Sequence, residues 1–171
     1  MSRICITAIL ALIALPAMVN AQVKAYMGVG KTGFGGQDAQ QLYGGNRMMI
    51  AIGKKSKGAT YLTLQISKAD FRYKNDEYSG GLNKGSSETM DVREYALILD
   101  RGLLHHKHLS LETGMGIGYQ SHIEGDILAI ANAALSYRFK RLRIGIYGDA
   151  RWVPGAPTWS YSAAPVVSVT L

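Results

Sequence analysis

Little in this 171-residue chain supports a disulfide scaffold, a helical bundle or a disordered tail. It has one cysteine, Cys5, so no intrachain disulfide can form. Only 4 prolines occur, and apolar residues rarely recur with the 3.6-residue period of an amphipathic helix. Beyond residue 21 no stretch nears the roughly 18 consecutive apolar residues of a transmembrane helix. Acidic residues are scarce: 12 Asp and Glu against 19 Lys and Arg give a formal net charge of +7. Disorder is excluded all the same, because 47% of the residues are hydrophobic. The length suits one domain with a real core. Glycine is what abounds, with 20 residues. A mean hydropathy of +0.01 fits a soluble domain or a membrane barrel whose apolar residues are diluted by alternation.

Residues 1–21 read as a cleavable secretory signal. Met1-Ser2-Arg3 is a basic start, Ile4 to Val19 is an apolar run broken by Thr7 and Pro16, and Val19-Asn20-Ala21 supplies a small-residue cleavage site. Cleavage would leave 22–171 as one exported domain without cysteine.

Period two governs that domain. Leu109, Leu111, Met115, Ile117 and Tyr119 alternate with Ser110, Glu112, Gly114, Gly116 and Gly118. Ile127 to Phe139 and Leu142 to Trp152 alternate likewise, and the last segment sets Val167, Val169 and Leu171 against Val166, Ser168 and Thr170. Earlier segments are Val23–Gly30, Arg47–Gly53, Ala59 to about Tyr73, and Met90–Asp100, which makes eight strands. In the third, Lys68 and Asp70 fall on the apolar face unless a bulge resets the register. Pro165 is expected near the start of the last strand, where its missing N–H is tolerated.

One face is aliphatic and the other carries Gly, Ser, Glu, Asn, Asp and Arg. A soluble sandwich or lipocalin-like barrel would fill its interior with bulky apolar groups. Turned apolar-out, the pattern describes an all-β, eight-stranded antiparallel up-and-down transmembrane barrel with a small polar lumen. Closure pairs every backbone group that lipid would leave unsatisfied. Odd-numbered connections are mostly long and even-numbered ones mostly short, as expected when both termini lie on the short-turn side. Trp152, Trp159 and Tyr119 fall at one end of the strands, and Tyr61, Tyr137 and Phe139 at the other, like two interfacial girdles.

In this pattern the chain resembles the small outer-membrane β-barrels of Gram-negative bacteria, of the outer-membrane protein X, opacity-protein and OmpA-barrel type. The likeness spans 22–171 and is one of architecture. It implies an outer-membrane location, lipid and lipopolysaccharide as surroundings, and a monomer. It also implies insertion by the barrel-assembly machinery, which reads the last strand; Val167 and Val169 fit that signal, and Leu171 replaces the usual terminal aromatic.

Chemical motifs are weak. Ala25 to Thr32 resembles a phosphate loop, but Gly33-Phe34-Gly35-Gly36 cannot open a helix behind it. His105-His106-Lys107-His108 lacks a neighbouring carboxylate or cysteine and reads as a solvated turn rather than a metal site. Ser121, His122 and Glu124 offer a nucleophile, a base and an acid, although neighbours on an extended chain point to opposite sides. Outer-membrane lipid A deacylases are also eight-stranded barrels, yet they carry His and Ser two residues apart on a late strand, and Ile146 to Arg151 has neither. The alternating pattern aims Lys24, Glu94, Glu112, Arg138, Arg143, Asp149 and Arg151 into the lumen, where charges must pair or be hydrated. Lys54, Lys55 and Lys57 cap a short turn, while Lys31, Arg47, Arg72, Lys74 and Lys84 are expected near the outer rim, facing lipopolysaccharide phosphates. Nothing resembles a nucleic-acid reader or a cofactor site. The expected role is structural or surface-interactive, through the first, second and fourth outer loops; a lipid-modifying enzyme is the alternative, and a narrow channel the third.

Overall fold

The computed structural model describes residues 22–36, 42–74, 87–121, 126–156 and 158–170. The expected signal segment 1–21 and Leu171 lie outside them. Every described element is a strand: β1 (Val23–Gly36), β2 (Leu42–Tyr43), β3 (Asn46–Lys55), β4 (Thr60–Lys74), β5 (Ser87–His106), β6 (Leu109–Ser121), β7 (Asp126–Phe139), β8 (Leu142–Trp152) and β9 (Thr158–Thr170). All pairings are antiparallel, in the order β4-β3-β1-β9-β8-β7-β6-β5, and β5 pairs back onto β4. The sheet is therefore a closed eight-stranded barrel. The two-residue β2 extends β3 along β4 beyond a one-residue register step at Gly44-Gly45. A Cβ on either glycine would overlap a carbonyl oxygen, that of Thr32 or of Asp70, so only glycine allows this approach.

Closure shows in the registers. A paired row runs Lys24, Gly53, Thr63, Ile98, Gly116, Ile130, Arg151, Ser160 and returns to β1 at Phe34. The row has climbed ten residues along β1, the stagger that goes with strands tilted about 35–45° to the barrel axis. Turns Ser56–Ala59, Lys107-His108 and Lys140-Arg141 join strands at the end that also holds Val23 and Thr170. We call this the turn end and the opposite one the loop end. Lys107 and Lys140 adopt φ of 49° and 58°, as two-residue hairpins of this hand demand.

The apolar face points outward all round. Met115 is 76% exposed, Ile127 69% and Ile117 66%, whereas Ile98 on the opposite face is fully covered. An apolar belt of this extent is stable only against lipid. It is broad on β6 to β9 and narrow on β4, where Leu62, Leu64 and Ile66 are followed by Lys68 and Asp70.

Three expectations are corrected here. No bulge resets β4: its registers with β3 and β5 run unbroken through Lys68 and Asp70. Both face outward because β4 continues past the apolar belt, and Lys68 is held there by Asp91 at 2.7 Å and Asp70 at 3.9 Å. The fourth barrel strand is 20 residues long rather than eleven, with a register shift between Gly102 and Leu104, because pairing outlasts the apolar pattern at both ends. Pro165 lies in the middle of β9. Its partner on β8 is Ile146, while the ladder to β1 stops at Gly28↔Val166 and resumes at Lys31↔Ala163. That gap accommodates the missing N–H.

Candidate functional site: the lumen

Alternation sends every second side chain inward, so the lumen is built from one face of each strand. It is less uniformly polar than its sequence pattern suggests. Three apolar clusters fill part of it: Tyr26, Met49, Ala51, Tyr147, Ala164 and Val166; Ala96, Ile98, Leu128 and Ile130; and Ala69, Phe71 and Val92. Between them sit eight buried charges in perfect balance. Lys24, Arg47, Arg143 and Arg151 oppose Glu94, Asp100, Glu112 and Asp149.

Near the turn end, Glu112 binds Lys24 through one carboxylate oxygen and accepts from Arg143 Nη1 at 2.6 Å through the other. Just above, Asp100 accepts from Thr63 at 2.6 Å and from Asn132 at 3.0 Å. The Tyr26 and Tyr147 hydroxyls donate to Gln65 Oε1 at 3.2 and 3.0 Å, which ties β1, β4 and β8 across the lumen. Toward the loop end, Arg47 pairs with Glu94 and Ser67, and Ser67 donates to Glu94 at 2.8 Å. Arg151 forms a two-pronged pair with Asp149 and lies 3.3 Å from Glu94, while Ser162 donates to Asp149 at 2.7 Å. The two ends are thus knotted by separate ionic groups. A small cavity beside Lys24, Asp100, Glu112 and Tyr147 measures about 30 Å³, enough for about one water. A second, larger cavity of about 260 Å³ opens beneath Arg143 at the turn end.

Six of the seven lumenal charges expected from sequence lie within these groups: Lys24, Glu94, Glu112, Arg143, Asp149 and Arg151. Arg138 does not. It has the inward parity, but β7 reaches the rim there, so Arg138 is exposed and donates to the Lys140 carbonyl at 3.0 Å. Sequence reasoning missed two members. Asp100 is the last residue of its strand in the sequence pattern, and its parity with Glu94 places it inside. Arg47 was expected at the outer rim; instead it is 1% exposed and faces Glu94, since its strand alternates through Met49 and Ala51. Tyr61 is likewise buried and belongs to the lumen rather than to a girdle. Lys31 and Arg72 are exposed; Lys74's side chain and Lys84 fall outside the described residues. Ser121 ends β6 exposed to solvent, and His122 and Glu124 also lie outside the described residues. Among the described residues no three His, Cys, Asp or Glu side chains converge as metal ligands would. Gly28 and Gly30, the glycines of the phosphate-loop resemblance, lie in mid-strand on β1 against β9.

No family model matches the chain, and no curated protein does. Solved structures do. Neisserial surface protein A aligns over 90% of this chain and 98% of its own, with a TM-score of 0.61 at 11% identity. The fold is that of a small outer-membrane β-barrel. OprG of Pseudomonas aeruginosa covers 88% and 96%, with a TM-score of 0.59 at 7% identity. Ail, the attachment invasion locus protein of Yersinia pestis, in complex with the heparin analogue sucrose octasulfate, covers 90% and 100% at a TM-score of 0.58 and 8% identity. At such identities the likeness speaks for architecture alone. This outer-membrane-type barrel therefore has its own lumen chemistry, to be read from its own residues.

Proposed function

We infer that the protein resides in the outer membrane as a sealed barrel, with a structural or surface-interaction role carried by its loop end. The observation behind this reading is the balanced lumen: four buried cations and four buried anions share it, all but Asp100 in ion pairs, and the small cavity beside Lys24 and Glu112 has room for about one water, which argues against a solute path. Transport is thereby disfavoured, and what the barrel offers is a rigid rim. The long connections at that rim, 37–45, 75–86 and 153–157, are the first, second and fourth outer loops when the short turns face the periplasm. The segment 1–21 serves as export signal, the assembly machinery inserts the chain through its last strand, and lipopolysaccharide surrounds the loop end of a monomer. Attachment is one form such a role takes, since a rigid barrel presents loops at fixed spacing.

The experiment compares cells that express the full chain with cells whose barrel carries shortened 75–86 and 153–157 loops. Adhesion or envelope robustness should fall in the shortened form while the barrel still shows heat-modifiable gel mobility. Unchanged phenotypes with both loops shortened would remove the surface role. An acyl change in lipid A on overexpression would replace it with the lipid-modifying reading.

A further inference from the structure

The charge excess of this chain is concentrated at the end away from the long loops. The three turns there carry Lys57, Lys107, Lys140 and Arg141, the adjoining end of β3 adds Lys54 and Lys55, and none of these segments holds an Asp or Glu. Opening into that end is the 260 Å³ cavity, whose walls include Lys55, Lys107, Arg138, His105 and His108. No acidic side chain lines it. Its ceiling is Arg143, which is nine-tenths buried and shares the single carboxylate of Glu112 with Lys24. The Nε of Arg143 is buried with no hydrogen-bond partner. Ser110 and Tyr61 add hydroxyls to the same wall. A cavity walled by cations, roofed by a guanidinium and free of lining carboxylates suits an anion.

We propose that this turn-end vestibule binds a phosphate-bearing anion. Two guanidinium forks, two ammonium groups and neighbouring hydroxyls suit a tetrahedral, multiply charged group better than a planar monocarboxylate. The source is either a soluble phosphate compound or the headgroup of an anionic lipid at the rim, and the chemistry of recognition is the same. The site lies at the opposite end from the loops and is independent of the surface role.

The test uses the full mature chain in nanodiscs of phosphatidylcholine at low salt, titrated with inorganic pyrophosphate and followed by amide and arginine Nε–H resonances. Saturable shifts should centre on Arg143, Arg138, Lys107 and Ser110, and the affinity should fall as sodium chloride is added. The double variant Lys107→Gln/Arg138→Gln alters only exposed side chains. It should keep heat-modifiable mobility and weaken binding at least about tenfold, while Lys68→Gln at the loop end leaves binding unchanged. Repeating the titration with phosphatidylglycerol in the disc separates the sources: competition identifies a lipid headgroup, and undiminished binding a soluble phosphate. Absence of saturable shifts through the millimolar range, or equal affinity in the double variant, would overturn the proposal.

Discussion

Replacing Glu112 by Gln removes one negative charge from the lumen without changing side-chain volume. In the native barrel one carboxylate oxygen binds Lys24 and the other Arg143, and both cations are buried. Gln retains one carbonyl oxygen, so it accepts from one cation and turns its amide NH2 toward the other. Two buried cations then lose the carboxylate they share. Breaking a buried ion pair by removing one partner costs about 3–5 kcal/mol, mostly from the charge left behind. With a urea dependence of about 2 kcal/mol per molar, the unfolding midpoint should drop by on the order of 2 M. The assay is reversible urea unfolding from phospholipid vesicles, followed by the fluorescence of Trp152 and Trp159. Adding Lys24→Met restores the balance of lumenal charge, so the double variant should recover part of the loss, and the coupling energy measures the pair. An unfolding free energy for Glu112→Gln within about 0.5 kcal/mol of wild type would mean the lumen is hydrated and the ionic seal does not exist.

Three other outcomes follow from the same geometry. Met115→Arg places a cation at mid-belt, where lipid-facing charge costs about 2–4 kcal/mol, while Leu109→Arg near the turn end should cost no more than about 1 kcal/mol; both are read from the same unfolding curves. At Gly30 a Cβ would overlap the carbonyl oxygen of Ala163 and the backbone of Ala164, so Gly30→Val should open the β1–β9 seam and abolish heat-modifiable mobility. Lys68, outside the apolar belt, donates to Asp91 and holds its carboxyl below the usual carboxylate range. Carbon-detected titration should show Asp91 losing its proton at lower pH than a free aspartate, and Lys68→Gln should move that midpoint upward.

Much of this architecture was legible because a barrel writes itself in period two. The phase of Leu109 to Tyr119 against Ser110 to Gly118 is enough to place β6, its outward face and Glu112 inside. Strand ends were harder, since hydrogen bonding between strands continues where the apolar pattern stops. That is why β5 overran its expected span and why Lys68 and Asp70 suggested a bulge. Parity assigns a face but not a height, so Arg138 was placed among the buried charges although it stands at the rim. Arg47 was misjudged the opposite way: it follows a glycine-rich connection, and its charge suggested the surface. The pairing of Lys24 with Glu112 spans 88 positions in the chain, and only the closed register brings those two groups together.

The central claim is that the aliphatic face meets lipid and the charged face is sealed within. Trp152 and Trp159 are the chain's only tryptophans. They face each other across β8 and β9, both partly exposed on the outer surface near the loop end. Vesicles of lipids brominated at different depths test their position directly. Strong quenching is expected from bromines close to the headgroups and weak quenching from those at the bilayer centre. Tryptophan emission indifferent to bromine at every depth, from a folded protein, would contradict it.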